Sequence, residues 1–288
     1  MTNDHQLINN YDYKYLPTNS HNSPSAITQL IKNRIVVGDR LMDFANNKNV
    51  ITISNLDELI RTNLTNPENY KYNIHIGQGI CEKTLKKLHE FILNAGLAET
   101  FQISIPKQYH KSSPCLTHKH KTKNIMISEP IQTENREYEC LLMLEEYCAE
   151  MSDHVTGQHI QGMVLVEAAR QMVIAVTEKF FISNENKGKI NFVTHSMDTK
   201  FHHFIFPLPV TIRYQILDMR KGYGYNHSSN ALISFIQNDV IATEIIFKFS
   251  VYNSEFIAEK ESFLAEKCIQ DNLNRESNVS LLNNCINI

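Results

Sequence analysis

Twenty consecutive residues, Gly162 to Phe181, read GMVLVEAARQMVIAVTEKFF and hold no proline or internal glycine to break a helix. Apolar side chains occupy nearly every face of the helix this run would form, so it must be buried on most sides. A chain that carries it therefore needs a larger element to wrap it. The segments that follow supply one: NFVTHSMDTKFHHFIF, PVTIRYQILDMR, SNALISFIQND and VIATEIIFKFSVYN are rich in β-branched and aromatic residues, as strands are. Gln237-Asn238-Asp239, between the last two, reads as a hairpin turn. Ahead of the helix, NIMISEPIQTENREYECLLMLEEY reads as extended. One buried helix, preceded by two strands and followed by about four, is predicted to be enclosed by an antiparallel sheet.

The first third of the chain has a different rhythm. Residues 1–26, rich in Asn, Tyr, Ser and Pro without periodicity, read as a flexible arm. From Ile27 to about residue 110, short apolar runs (RIVVGD, VITIS, YNIHIG, TFQIS) alternate with helical ones (NLDELIRTNL, CEKTLKKLHEFILNAGL), which predicts a small α/β domain with a parallel sheet. Ser54 or Asn55 is expected to cap the LDELI helix, and Gly96 to end the next one. The glycines of VVGDR and HIGQGI follow strands, where a phosphate could bind, but neither has the spacing of a nucleotide loop; they read as turns. The basic stretch PKQYHKSSPCLTHKHKTKN then separates this unit from the next, as a linker or an ordered crossing segment would. Residues 255–288 read as a helical tail whose last dozen residues fray.

Composition narrows the partners. With 28 basic and 31 acidic residues the net charge is −3, so no whole-chain field recruits nucleic acid or an anionic membrane. No stretch reaches the roughly 18 apolar residues of a membrane span, and the N-terminus has neither the basic start nor the apolar centre of a signal peptide. The six cysteines are scattered without a C-x-x-C pair, which fits reduced thiols better than disulfides or zinc. A cytoplasmic protein is expected. His154 and His159 lie five apart with no added Cys or carboxylate cluster, so no metal is assigned, and no cofactor.

The helix also carries a motif. His159, Gly162, Met163, Leu165, Glu167, Ala168, Arg170 and Gln171 fit the pattern His-x-x-Gly-Met-x-Leu-x-Glu-Ala-x-Arg-Gln, and in this the run resembles the A-factor biosynthesis hotdog family. A second feature, His118-Lys119 six residues ahead of Asn124 and the strand that follows, is similar to a His-Lys pair in that family. More distantly, the stretch resembles hotdog hydroxyacyl-thioester dehydratases, although their catalytic His would fall at Asp153. The resemblance implies an α+β chain in which a hotdog domain, residues 116–254, follows the small α/β domain. Typical members hold two hotdog repeats, whereas residues 1–115 show no second copy of the motif; a homodimer would supply the pair. The implied activity is transfer of a β-ketoacyl group from an acyl carrier protein or acyl-CoA thioester to a small phosphorylated alcohol such as dihydroxyacetone phosphate, giving a butyrolactone-type signal precursor. An acyl-thioester dehydratase or thioesterase, or a non-catalytic acyl-ligand-binding module, are the alternatives.

Residue chemistry stands beside the resemblance. Glu167, Arg170 and Gln171 are three and four apart and share one helical face. Burial would raise the pKa of Glu167 and Arg170 would lower it, a balance that suits a proton acceptor. Glu167 and Arg170 are the catalytic candidates. Amides at Gly162 and Met163 open the helix and could stabilise an oxyanion, with His159, Gln171, His118 and Lys119 as further substrate contacts. On residue type alone, Glu167 and Arg170 also fit a structural ion pair, and His118-Lys119-His120-Lys121 a solvated basic run.

Overall fold

The structure is a computed structural model that describes residues 30–106, 108–152, 157–222 and 226–286. The expected arm, and Asp153 and His154, lie outside the described residues.

Two sheets organise the chain. The first is built from β1 (Leu30–Val37), β2 (Val50–Thr52), β3 (Tyr70–Ile76) and β4 (Phe101–Ser104), with α1 (Met42–Ala45), α2 (Ile53–Thr65) and α3 (Glu82–Asn94) between them. All pairings are parallel, in the order β2-β1-β3-β4. Alternation along β1 divides its side chains: Val36 joins the core that packs Leu56 and Ile60 of α2 with Leu85, Leu88 and Ile92 of α3, while Val37 points the other way. The cap of α2 is Thr52, not Ser54 or Asn55. Thr52 Oγ1 accepts from the Asn55 N–H at 3.3 Å and Asn55 Oδ1 accepts from the Thr52 N–H at 3.4 Å, a reciprocal capping box that starts the helix earlier than its apolar pattern does. Ser54 instead donates its N–H and hydroxyl to Asp39. Gly96, at φ +69°, closes α3 as expected, with Gly96 N–H on Leu93 O and Leu97 N–H on Ile92 O.

The second sheet has six antiparallel strands, β5 (Ile131–Glu134), β6 (Glu137–Leu141), β7 (Ile190–Phe201), β8 (Thr211–Lys221), β9 (His227–Gln237) and β10 (Val240–Asn253), in the order β5-β6-β8-β9-β10-β7. Between β6 and β7 the long helix runs from Gly162 to Phe180; it follows the short helices α4 (Pro114–Thr117) and α5 (Ala149–Ser152) and is called α6 here. Its Val164, Leu165, Ala168, Ala169, Met172 and Val176 pack against Tyr214, Phe235, Phe247 and Phe249 of the sheet in one core. Register shifts in β8 and β10 bend the strands around the helix. Asn238 and Asp239, both at positive φ, form the β9–β10 hairpin turn. His202 and His203 fall just past β7, where both N–H groups donate to Ala242 O. No helix among the described residues is long and apolar enough to cross a membrane.

Two boundary segments take definite forms. The basic stretch is an ordered crossing segment: Lys111, with a side chain 5% exposed, pairs with Glu145 at 2.8 Å and donates to the carbonyls of Thr122 and Lys123. The tail is one helix, α7 (Ser254–Ile286), which continues through the residues expected to fray because no glycine or proline interrupts them.

The two sheets meet at the carboxyl ends of β1 and β3, where open parallel sheets usually receive ligands. Here the second half of the chain fills the crevice. Gln78, 4% exposed, donates from Nε2 to Leu142 O (3.0 Å) and Leu208 O (3.2 Å) and accepts from Leu144 N–H at 2.8 Å. Gly77 comes so close to Pro207 that a Cβ there would lie 2.4 Å from its carbonyl oxygen. Val37, Leu41 and Phe44 pack with Phe206 and Leu208 beside this seam. The glycines read as turns are thus close-approach positions. Because two buried backbone groups and one part-buried carbonyl lose their partner together, Gln78→Ala is expected to destabilise the protein by on the order of 3 kcal/mol in urea melts; a loss within about 1 kcal/mol would show that water replaces the side chain.

Candidate functional site

Along α6 the polar residues form one stripe. Glu167, Gln171 and Glu178 are spaced by four and eleven residues, close to whole turns, and so share the face that meets the crossing segment 113–126. The other faces mostly enter the sheet core, and Lys179, off this stripe at the end of the helix, pairs with Glu129 at 2.6 Å.

Glu167 is the centre of it. Its side chain is 17% exposed, and four hydrogen bonds converge on its two oxygens. Arg170 grips it with a two-pronged contact, Nε to Oε2 at 2.7 Å and Nη2 to Oε1 at 2.9 Å. Lys119 Nζ stands 2.7 Å from Oε1 and Gln171 Nε2 donates to it at 3.0 Å. Burial pushes the carboxyl upward, but the hydrogen bonds from Arg170, Lys119 and Gln171 outweigh it and hold the group at about 2. Glu167 in turn holds the Arg170 guanidinium above its usual range. Both groups are therefore charged at neutral pH.

Gln171 is fully buried and locates the site against its surroundings. Its Oε1 accepts from the Met126 N–H at 2.8 Å, and its Nε2 also donates to Asn124 O at 2.9 Å. Asn124 Oδ1 accepts from the Ala149 N–H at 3.0 Å, which starts α5 and carries Glu150 to within 3.3 Å of Lys119 Nζ. The cluster thus contains two carboxylates, Glu150 and Glu167, and two cations, Lys119 and Arg170.

The remaining candidates are distributed around this centre. Gly162 and Met163 are the first two residues of α6, and their N–H groups have no acceptor among the described residues, because the N-cap Gln161 makes no side-chain hydrogen bond. The Met163 side chain is 70% exposed. A Cβ on Gly162 would come 2.7 Å from the exposed ring of Phe201, so a larger residue there would have to push that ring aside. His159 packs on Phe204, with ring centroids 4.7 Å apart, rather than on the Glu167 cluster. His118 parts from its neighbour: Lys119 joins Glu167, whereas His118 Nε2 lies 2.7 Å from Glu178 Oε1, further along α6. Among the described residues no group of three or more His, Cys, Asp or Glu is placed to hold a metal.

Sequence reasoning missed Glu150 and Glu178. Glu178 had a readable signal, an acidic residue on an apolar helix three turns beyond Glu167 on the same face. Glu150 had none, since its approach to Lys119 depends on how Asn124 places α5.

Comparison with known proteins gives three kinds of likeness. A 75-residue stretch is 31% identical to general transcription factor 3C polypeptide 1 of Mus musculus, covering 26% of this chain, and the same protein of Rattus norvegicus matches with the same figures. The chain spans only 3% of the length of these curated relatives. Among solved structures, a thioesterase from Haemophilus influenzae superposes with a TM-score of 0.33 at 12% identity, covering 44% of this chain and 79% of its own. A hypothetical protein from Staphylococcus aureus in complex with CoA gives 0.33 at 12% identity, covering 44% and 75%. A third, from Helicobacter felis, gives 0.34 at 14% identity, covering 51% and 92%. Residues 102–253, over half of the chain, match the A-factor biosynthesis hotdog domain, AfsA, and they contain both the His118-Lys119 pair and the α6 motif. With a six-stranded antiparallel sheet wrapped round α6, the chain belongs to the A-factor biosynthesis hotdog family.

Proposed function

We propose that this protein is an acyltransferase that moves a β-ketoacyl group from a carrier-protein thioester to the hydroxyl of a small phosphorylated acceptor such as dihydroxyacetone phosphate. The observation that carries the reading is an ionised, largely buried carboxylate, Glu167, clasped by two cations beside the open amino end of α6. In the reaction, the acceptor oxygen attacks the thioester carbonyl carbon while its proton passes to Glu167. The resulting oxyanion is met by the Gly162 and Met163 N–H groups. The C–S bond then breaks, and the departing carrier thiol recovers the proton from Glu167.

A carboxyl held at about 2 is a weak proton acceptor, and the cations explain how it gains strength. The cluster's two carboxylates balance its two cations, so an arriving phosphate competes with Glu167 for Lys119 and Arg170. Each contact drawn away raises the proton affinity of Glu167 when the acceptor is in place. Acceptor binding and base activation are thereby coupled.

A second copy of the chain completes the site in this reading. The edge strand β7 and the start of α6 expose Met163, Met197, Phe201 and Phe204, each at least 46% accessible. Such an edge invites pairing, and a partner there would roof the Gly162 end of α6.

Mass spectrometry with β-ketoacyl carrier-protein thioesters, with and without dihydroxyacetone phosphate, tests the reaction. An acyl ester that forms only with the acceptor and falls at least about 100-fold in Glu167→Gln is expected. Free acid or an enoyl product without acceptor would make the protein a thioesterase or dehydratase, and binding without turnover an acyl-ligand module. The pH dependence has a defined sign. A base must be ionised to act, so activity is lost as pH falls through its pKa, and Arg170→Met, which raises that pKa, is expected to move the acid limb of kcat/KM upward by about 1–2 pH units. An unmoved limb would assign it to another group. For the dimer, sedimentation equilibrium should give twice the chain mass, and Met197→Lys should halve it with an unchanged circular dichroism spectrum; a wild-type monomer would remove the partner from the site.

A further inference from the structure

The buried carboxylate of Glu178 lies outside the reaction just described. It sits in the last turn of α6 with a side chain 1% exposed. Oε1 meets His118 Nε2 at 2.7 Å and the Gly188 N–H at 3.4 Å, while Oε2 has no hydrogen-bond partner among the described residues. A carboxylate buried with half its capacity unused is costly.

We infer that Glu178 is a positioning residue for the Glu167 site, acting through His118 to aim Lys119 at Glu167. The inference rests on reading Glu167 as the working carboxylate. Glu167 and Glu178 are eleven residues apart, about three turns and roughly 16 Å along the axis, yet their partners Lys119 and His118 are adjacent in sequence. The two side chains must therefore reach along α6 in opposite directions from one peptide unit. The backbone turns for this purpose. His118 ends α4 at φ 52° and ψ 38°, a left-handed conformation seldom adopted by residues other than glycine, asparagine and aspartate. Upstream, the segment is set by the Ser113 hydroxyl, which accepts from the Leu116 N–H, and by Pro114, whose carbonyl accepts from the Lys119 N–H. Downstream, it is set by Gln171 holding Asn124 and Met126. Between these anchors, the Glu178–His118 contact fixes which way residue 118 faces, and with it the origin of the Lys119 side chain. The edge of the His118 ring against Phe192, centroids 5.7 Å apart, keeps the imidazole in that orientation.

Carboxyl carbon-13 NMR of glutamate-labelled protein, with the Glu167 resonance assigned from Glu167→Gln, tests this without relying on turnover. In Glu178→Met the Glu167 titration midpoint is expected to rise by about 1 pH unit or more, as Lys119 loses its aim. Lys119→Ala should produce a similar rise, and the double variant should match Lys119→Ala within about 0.3 unit. His118→Asn cuts the same link from the solvent side with a residue that accepts left-handed backbone, and should give the same rise. A folded Glu178→Met or His118→Asn protein with an unmoved Glu167 midpoint would overturn the inference, as would full additivity in the double variant. If the midpoints move as expected but Glu167→Gln turns over normally, the positioning role stands and the acyltransferase reading falls.

Discussion

A helix as apolar as α6 can be buried only if its few charged groups find partners, and that requirement shapes the hotdog half of the chain. Three faces of the helix enter the core with Tyr214, Phe235, Phe247 and Phe249. On the fourth, Glu167, Gln171 and Glu178 would be intolerable without donors. The crossing segment supplies hydrogen-bond partners in order: Lys119 for Glu167, the Met126 N–H as donor and the Asn124 carbonyl as acceptor for Gln171, and His118 for Glu178. The sheet could wrap any apolar helix, but only one that carries this stripe fastens this segment. Its electrostatics follow from the same pairing, since the contacts that make Glu167 tolerable also keep it ionised.

The parallel-sheet unit is bound to the hotdog half by the same rule applied to backbone. Gln78 answers two carbonyls and one amide of the second half from a buried position, and glycine at 77 lets the chains approach closely enough for it to do so. The crevice at the ends of β1 and β3, where an α/β sheet would ordinarily hold a ligand, is occupied by residues 142–146 and 206–208 instead. The unit is thereby built into the structure that supports Lys111, Glu145 and the start of the crossing segment.

Much of this was legible beforehand, for reasons that can be named. The period of two in YNIHIG and the turn chemistry of Asn238-Asp239 are local, so they were readable as a strand and a hairpin. The capping box was local too, but Thr52 closes β2 and begins α2 at once, and a pattern that looks for the first apolar residue of a helix places the cap too late. The α6 motif marked Glu167, Arg170 and Gln171, because three- and four-residue spacing on a helix guarantees a common face. It could not mark Glu150, which is distant in sequence, and it grouped His118 with Lys119 although the backbone turn between them sends the two side chains to different carboxylates.

The sequence by itself determined that α6 must be buried, that the strands around it form a wrapping sheet and that Glu167 and Arg170 lie side by side, since each of these follows from composition and period along a short stretch. Tertiary structure decided the charge state of Glu167, the separate partners of His118 and Lys119, and the filling of the parallel-sheet crevice. These depend on which segments lie within a few ångströms after the chain has crossed α6, and distance in space between residues far apart in sequence is set by packing, not by local pattern.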